Sequence, residues 1–357
     1  MSKGIRGAEG RYGWAFTAPA IVIIGLFLVI PIFLALYVSF SDWNGLGSPL
    51  GNSDLVGGEN YAKVLTDSGL AQRDFGTSIR NNFYYVILVV PLQTALALFL
   101  AVQVNHRLLR GRGFFRTAFY FPSVTSSVAI TTIFIFLFTS SGAVNTVLGA
   151  LGADGPNWFS DPSGTLSWLT AGVPGDGPLG LTWAAWLTGP SVAMCVLIIM
   201  AIFTTSGTLM LLFLAALQNI SEEVDEAAMV DGAGNIRKFF SVTLPMLKPT
   251  LFTVLTLGLI GAWQVFDQIY LTGKGAPGKT LLTPAFLAYD TSFKGLNWGE
   301  GAAIAFILFL IIVSLTLQRW VLRDRDLGRG GARRAARVES QLRADAASAV
   351  VTKGAVR

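Results

Sequence analysis

The stretch Ser221–Pro249, SEEVDEAAMVDGAGNIRKFFSVTLPMLKP, is a polar interruption between two long apolar blocks. Ser221 predicts a helix start, because its hydroxyl can accept a hydrogen bond from a free backbone N–H and the acids after it favour the positive end of a helix dipole. Gly232 permits the chain to reverse, and a second short segment from Asn235 runs until Pro245 and Pro249 stop it. We therefore predict a small helix–turn–helix outside the membrane.

The composition of the whole chain indicates a membrane protein. Of its 357 residues, 52% are hydrophobic and 13% are charged, whereas roughly 25% of residues are charged in an average soluble domain. Apolar runs of about 20 residues, the length that spans a bilayer, recur along the sequence. The predicted fold class is therefore an all-α membrane protein with a single membrane domain.

Six apolar segments are predicted to cross the bilayer within a membrane domain of residues 14–322. Residues 1–13 precede this domain, and a basic tail, 323–357, is predicted to be disordered. The loop 140–190 contains no Lys or Arg and is rich in Gly, Pro and Trp, which predicts one or two short helices at the membrane interface. The predicted spans are residues 14–40, 82–104, 118–139, 191–217, 250–271 and 302–322.

Basic residues set the predicted orientation. The N-terminus, the loop between the second and third spans and the tail are all basic. Since cytoplasmic loops carry an excess of Lys and Arg, both termini and the 221–249 loop are expected in the cytoplasm. If residues 179–190 formed a further span, there would be seven helices and every later segment would be inverted. The charge distribution favours six.

The sequence offers no candidate for catalysis or for metal binding. One cysteine, Cys195, and one histidine, His106, exclude an intrachain disulfide and a multi-histidine metal site. The predicted spans contain no clustered His, Asp or Glu, which a membrane enzyme would need. The net charge of +5 does not indicate nucleic acid, since the basic tail is better explained as a topology signal. We therefore expect no catalytic residue, metal, cofactor or nucleic acid.

One stretch matches a nucleotide-binding pattern in the wrong setting. Residues 273–280, GKGAPGKT, fit G-x-x-x-x-G-K-T, but that site needs a preceding strand and a helix that starts at the Lys–Thr pair. Here a membrane segment precedes the stretch and Pro284 follows it closely. We interpret it as a flexible Gly/Pro loop that binds no nucleotide.

Two groups of polar residues within the predicted spans are candidates for ligand binding. Asp267 carries a charge at or near membrane depth, which indicates function by default, although solvation at the interface would also explain it. Trp263, Gln264, Phe266 and Tyr270 surround it in sequence, and a cluster of aromatic faces, amides and carboxylates suits a sugar. The second group lies near the middle of the fourth span, where helix packing by small polar residues is the alternative. Its members are Thr204, Thr205, Ser206 and Thr208.

The helix–turn–helix carries a spaced signature. Glu226-Ala227-Ala228, then Gly232 and VTLP at 242–245, resembles the EAA motif of permease subunits of binding-protein-dependent ABC importers, with Val242 where the family prefers isoleucine. In that family the loop seats in a groove of a cytoplasmic ATPase. The resemblance implies that the ATPase-coupling residues are Glu226, Ala227, Ala228, Asp231, Gly232, Leu244 and Pro245.

A second resemblance narrows the class. The stretch 263–277 looks like the fifth span and following loop of MalF-like sugar permeases, as do FTAP at 16–19 and NWFSDP at 157–162. Gly273, Lys274 and Ala276 depart from the usual Thr-Gly-Gly-Gly-Pro run, and 163–190 looks like an insertion. The resemblance implies a non-catalytic permease subunit of an ATP-driven importer for a mono- or oligosaccharide. The implied sugar-binding positions are Thr204, Thr205, Thr208, Trp263, Gln264 and Asp267.

The resemblance also implies a set of partners in a bacterial cell membrane. They are a second, MalG-like permease, two cytoplasmic ATPase subunits, an extracytoplasmic sugar-binding protein or lipoprotein, and membrane lipid. Two alternatives stay open. One is an importer for a non-sugar solute such as glycerol phosphate. The other is an ion-coupled secondary transporter, although such carriers usually show internal repeats and buried charge pairs, and neither is evident.

Overall fold

The computed structural model describes residues 5–106, 109–170 and 173–321. Within these ranges the fold is helical, with isolated β-bridges but no strand. The chain divides into two compact units, Met1–Leu308 and Phe309–Arg357, and both sites considered below lie in the first. The tail 323–357, which we predicted to be disordered, lies outside the described residues.

The helices follow one another through loops of varied length, with no sheet between them in the described ranges. Short π-helical turns occur at Gly25–Val29, Phe239–Thr243 and Asp290–Lys294. The α-helices are α1 (Tyr12–Ser39), α2 (Glu59–Leu65), α3 (Leu70–Asn105), α4 (Arg112–Val124), α5 (Ser127–Leu137), α6 (Ala143–Ala150), α7 (Ser167–Thr170), α8 (Trp183–Leu187), α9 (Val192–Gln218), α10 (Glu222–Val230), α11 (Asn235–Lys238), α12 (Lys248–Trp263), α13 (Asp267–Leu271), α14 (Pro284–Tyr289) and α15 (Trp298–Val321).

Five stretches of the described chain are long and apolar enough to cross a membrane, and a bent pair would make a sixth. The five are α1, α3, α9, the α12–α13 stretch and α15. The third predicted span, 118–139, is not a single helix. It consists of α4 and α5, which meet at a 94° bend. Thr125 is extended at this break (ψ 145°). Pro122 and the Ser and Thr residues after it explain the break, because they weaken the backbone hydrogen-bond ladder.

The second span begins 12 residues earlier than predicted, since α3 starts at Leu70 rather than Asn82 and is 36 residues long. A helix of that length extends about 54 Å, which exceeds the roughly 30 Å core of a bilayer. Its extra turns, together with the turn that follows them, hold the loop 140–190. The Arg80 guanidinium donates to the carbonyl of Ala185 at 3.1 Å, and the Tyr84 hydroxyl donates to the carbonyl of Trp186 at 2.6 Å.

The loop 140–190 contains three short helices, α6, α7 and α8, rather than the one or two that we predicted. The stretch 179–190 does not form a span, because α8 is five residues long and Gly189 separates it from α9 with a left-handed φ of +75°. The seven-helix alternative is therefore not supported by the described residues.

The centre of the membrane domain is the contact between α3 and α9. Small residues of α3, Ala97 and Ala101, meet Met210 and Phe213 of α9, and all four are buried. Gly207 lets α9 approach α4 closely, since a Cβ at that position would lie 2.3 Å from the carbonyl oxygen of Phe119. Small residues at such crossings are how helices associate in lipid, where apolar burial between helices gives little driving force.

Candidate functional site

A cavity with a volume of about 550 Å³ lies among α3, α4, α5, α9, α12 and α13. This volume falls within the roughly 300–1,000 Å³ of small-molecule sites. Five of the six residues that we predicted for sugar binding line it, and Trp263 does not. The five are Thr204, Thr205, Thr208, Gln264 and Asp267.

A break in the fifth span brings Gln264 and Asp267 to the cavity. We predicted one helix over 250–271, but α12 ends at Trp263 and α13 begins at Asp267. Phe266 has non-helical angles between them (φ −136°, ψ −57°). Irregular backbone at membrane depth is tolerated where it lines a cavity or is covered by protein, so the position of this break fits a ligand pathway.

Trp263 lies at a different surface of the same helix. Its side chain is 5% exposed, and its carbonyl accepts a long hydrogen bond of 3.4 Å from the Asn82 amide of α3. Trp263 is the last residue of α12 and packs away from the cavity, whereas Gln264, the first residue beyond the helix end, lines it. The indole Nε1 of Trp263 has no hydrogen-bond partner among the described residues.

The carboxylate of Asp267 contacts the start of a second broken helix. Its Oδ2 accepts a hydrogen bond of 2.9 Å from the hydroxyl of Ser127, which is the first residue of α5. A helix N-terminus is the positive end of the helix dipole. The negative charge of Asp267 therefore complements the N-terminus of α5, and the two broken spans contact each other at this point. Ser127 could not be selected from the sequence, because the two residues are 140 positions apart.

The threonines of α9 serve both packing and the cavity surface. The Thr205 hydroxyl donates to the side-chain oxygen of Gln93 on α3, and the Ser123 hydroxyl of α4 donates to the carbonyl of Thr204. The backbone N–H of Thr208 donates to the same Ser123 hydroxyl at 3.1 Å. The packing alternative therefore applies to these contacts, while the Thr208 side chain is exposed on the cavity wall.

Gln93 is a site residue that the sequence analysis missed. It is 2% exposed and lines the cavity. A Cβ on Gly258 of α12 would lie 2.5 Å from its side-chain nitrogen, so a glycine makes room for this amide. A signal was present, because an amide within an apolar span is costly and indicates function or a specific polar contact.

The predicted coupling loop is a helix, a tight turn and a second helix. Helix α10 ends in a paired set of backbone bonds in which Gly232 N–H donates to Met229 and Ala233 N–H donates to Ala228, both at 3.0 Å. This is the pattern of a Schellman turn, which needs a left-handed residue just beyond the helix end. Gly232 supplies it with φ +75° and has no atom within 4 Å of its ideal Cβ. A glycine is therefore required here because the backbone angle is left-handed, and not because a side chain would clash with a neighbour.

Two details of this loop differ from the prediction. Ser221 is the N-cap residue of α10, but its hydroxyl makes no capping hydrogen bond. Pro245 and Pro249 do not stop the second segment, which continues through Phe239–Thr243 and Leu244–Met246 to the start of α12 at Lys248. Proline is tolerated here because it falls in the first turn of a helical segment, where its missing N–H costs little.

The predicted coupling residues are mostly accessible. Glu226, Ala227, Asp231, Gly232 and Pro245 are exposed, Leu244 is half-buried and Ala228 is buried. Large apolar side chains beside them are also exposed, with Val230 at 88% and Ile236 at 77%. A second cavity, of about 800 Å³, lies between this loop and the end of α3 and includes Glu226 and Asn105 in its lining.

The stretch 273–280 lacks the geometry of a phosphate-binding loop. It follows a helix, and the next helix begins at Pro284 rather than at Lys279. The Lys279 ammonium pairs with both carboxylate oxygens of Asp74 at 2.7 Å, and the Asn81 amide donates to the carbonyl of Lys279 at 2.9 Å. The loop is thus tied to α3 by side-chain contacts, while its flexibility stays a prediction. The described residues contain no group of three or more His, Cys, Asp or Glu suited to a metal ion.

The described chain combines a multi-span helical domain, a cavity between two broken helices and an accessible helix–turn–helix. Together these features define a solute permease of the membrane. Residues 93–324 match the family described as binding-protein-dependent transport system inner membrane component. The chain belongs to this family, and it is a multi-pass inner membrane protein of the ABC permease class.

Two relatives cover three quarters or more of the chain. It is 32% identical over 334 residues to the lactose transport system permease protein LacF of Rhizobium radiobacter, covering 91% of this chain and 100% of that one. It is 30% identical over 270 residues to the arabinooligosaccharides transport system permease protein AraP of Halalkalibacterium halodurans, with 75% of each covered.

A solved structure shares the fold. It is a bacterial ABC transporter involved in the import of the acidic polysaccharide alginate, with a TM-score of 0.69, 20% identity, and coverage of 89% of this chain and 96% of that one. A second structure of a bacterial alginate ABC transporter, in complex with an alginate pentasaccharide-bound periplasmic protein, has a TM-score of 0.63 and 18% identity.

Proposed function

We propose that this chain forms half of the translocation pathway of an ATP-driven importer for a carbohydrate. The observation that carries the proposal is the cavity of about 550 Å³ at the two helix breaks, with Gln264, Asp267 and Thr208 on its wall. Relatives named for lactose and for arabinooligosaccharide transport support the same substrate class.

The cavity wall offers the two kinds of contact that a sugar needs. Gln264 and Asp267 present an amide and a carboxylate that can hydrogen-bond hydroxyl groups. Tyr85 and Phe266 also line the cavity, and aromatic faces can pack against the C–H faces of a sugar ring. A small number of polar groups on a largely apolar wall fixes the orientation of a ligand.

The helix–turn–helix 221–249 is the proposed contact with the ATPase. Val230 and Ile236 expose large apolar side chains beside the charged Glu226. An apolar patch with a charged neighbour suits a protein partner. In this arrangement both chain termini are cytoplasmic, and ATP is hydrolysed by two partner subunits while this chain binds no nucleotide and catalyses no reaction.

The other proposed partners complete the pathway. A second permease supplies the opposite wall of the cavity, and an extracytoplasmic binding protein delivers the sugar. The fold shared with a transporter solved in complex with a periplasmic protein supports this arrangement. Closure of the ATPases moves the two coupling loops together and alternates access to the cavity between the two sides of the membrane.

The test is uptake of labelled neutral mono- and oligosaccharides by vesicles that contain the complete transporter and its binding protein. Gln264→Ala and Asp267→Ala each remove a proposed hydrogen bond, which contributes about 0.5–1.5 kcal/mol, or about two- to tenfold in uptake at low sugar concentration. Asn52→Ala is the control, since this exposed amide in the loop before α2 lines neither cavity. ATP-dependent uptake of no carbohydrate at all would refute the function, and unchanged half-saturation in both variants would move the site elsewhere.

A further inference from the structure

The wall of the 550 Å³ cavity carries charge of one sign. We propose that Asp267 makes this half of the pathway selective for neutral and amino sugars, and that it repels uronic acids and sugar phosphates. The inference rests on the proposed function and names the substrate class for the same site. It assigns Asp267 a specificity-determining role in addition to hydrogen bonding.

The first observation is the set of residues on the wall. Asp267 is the one acidic residue among those that line the cavity in the described part of the chain, and none of the lining residues is Lys, Arg or His. An anionic ligand needs Arg or Lys, or free backbone N–H groups at a helix N-terminus, to offset the loss of its hydration. The side chains that line the cavity in this chain supply no such cation.

The second observation concerns the helix N-terminus at the cavity. Helix α5 begins at Ser127, which lines the cavity, and its N-cap residue Ser126 makes no side-chain capping bond. Left open, this terminus would attract an anion. The carboxylate of Asp267 already occupies its vicinity, because its Oδ2 accepts the 2.9 Å hydrogen bond from the Ser127 hydroxyl. The Asp267 carboxylate thus compensates the positive end of the α5 dipole.

The third observation is the supply of unused polar groups. The second oxygen of Asp267, Oδ1, has no hydrogen bond to a described residue, whereas Oδ2 is engaged. Thr131 on α5 is 1% exposed, lines the cavity, and its hydroxyl has no partner among the described residues. A hydroxyl or an ammonium can donate to a carboxylate oxygen, but a carboxylate or phosphate cannot. Like charges also repel more strongly in a partly dry cavity than in water.

Charged thiol reagents test the sign of the potential without depending on the binding protein. The single native cysteine, Cys195, is first replaced by alanine in the complete transporter. Thr208→Cys then places a thiol on the cavity wall, since Thr208 lines the cavity and is exposed. The measurement is the ratio of the labelling rates by a cationic and an anionic methanethiosulfonate of similar size, with and without ATP.

The ratio is compared for Asp267, Asp267→Asn and Asp267→Lys. We expect a several-fold preference for the cationic reagent with Asp267, a loss of that preference with asparagine and a reversal with lysine. Ser68→Cys is the control thiol, because Ser68 is exposed and does not line the cavity. Its ratio should not respond to the substitutions at Asp267.

Three outcomes would overturn the inference. They are equal ratios for all three residues at position 267, faster labelling by the anionic reagent in the presence of Asp267, and no labelling of Thr208→Cys by either reagent with or without ATP. Carbohydrate uptake by vesicles that contain the unsubstituted transporter, with Thr208 and Asp267 in place, keeps the two proposals separate. A correct charge preference without any carbohydrate uptake would refute the proposed function alone, whereas uptake combined with equal ratios would refute the charge selectivity alone.

Discussion

Replacing Gly232 by alanine should uncouple transport through a backbone effect of calculable size. The residue is left-handed, with φ +75°, and no atom lies within 4 Å of its ideal Cβ. Alanine therefore meets no clash, and the cost is the left-handed conformation itself, about 1–2 kcal/mol. That cost lowers the population of the native turn relative to its alternatives by a factor of about 5–30, which is also the largest loss of coupled uptake that we expect. Asparagine, which visits this region more readily, should have a smaller effect.

The chain contains a matched control for this change. Helix α6 ends in the same Schellman pattern, with Gly152 N–H donating to Gly149 at 3.0 Å and Ala153 N–H donating to Leu148 at 2.9 Å. Gly152 has φ +81° and open space around its ideal Cβ. It lies in the loop 140–190 and lines neither cavity. Gly152→Ala should therefore carry the same backbone cost without altering the coupling loop.

The assay is ATP hydrolysis stimulated by the sugar-loaded binding protein, measured together with uptake and with the amount of assembled complex. We expect Gly232→Ala to lose stimulation and uptake, Gly152→Ala to retain both, and the two variants to assemble in similar amounts. Equal losses in both variants would mean that stability, and not the coupling turn, causes the defect. Full stimulation in Gly232→Ala would refute the role of the turn.

Two further predictions concern packing and the nucleotide-like loop. Gly207→Ala should lower the thermal stability of the purified complex by an amount equivalent to about 1–3 kcal/mol, because its Cβ would lie 2.3 Å from the carbonyl oxygen of Phe119; an unchanged melting temperature would show that α4 can move aside at no cost. Lys279→Ala should leave the affinity of the complex for ATP unchanged, since this ammonium pairs with Asp74, and stability should fall by less than about 1 kcal/mol because the pair is exposed. Loss of ATP binding would contradict our interpretation of that loop.

The two helix breaks differ in how far the sequence could have predicted them. The break between α4 and α5 lies within the run FPSVTSS, in which Pro122 and several hydroxyl side chains weaken the helix, so a signal was present. The break between α12 and α13 occurs within WQVFD, which contains neither proline nor glycine. Tertiary packing must hold Phe266 in its non-helical conformation, and its ring does contact Tyr270 and Phe286 at centroid distances of 5.8 and 6.1 Å.

The candidate site likewise contains residues that the sequence could predict and contacts that it could not. Intramembrane polarity was enough to select Gln264 and Asp267, because a polar group in an apolar span is conspicuous in one sequence. It was not enough to pair Asp267 with Ser127 or Thr205 with Gln93, since these contacts join residues 140 and 112 positions apart. For Trp263 the sequence predicted a cavity residue because of its proximity in sequence, but Trp263 is buried and the structure does not place it on the cavity wall.

Helix α3 connects the features that sequence analysis treated separately. Near its start, Asp74 and Arg80 hold the loops 273–280 and 140–190. At its middle, Gln93 binds Thr205 on the wall of the substrate cavity. At its end, Asn105 lines the second cavity together with Glu226 of the coupling loop. Movement of α3 as one body at the coupling end would displace Gln93 and the loop contacts together. Hydrophobicity alone suggested that this span begins at Asn82. A helix that began there would lack Asp74 and Arg80, so the additional 12 residues of α3 link the loops to the cavity.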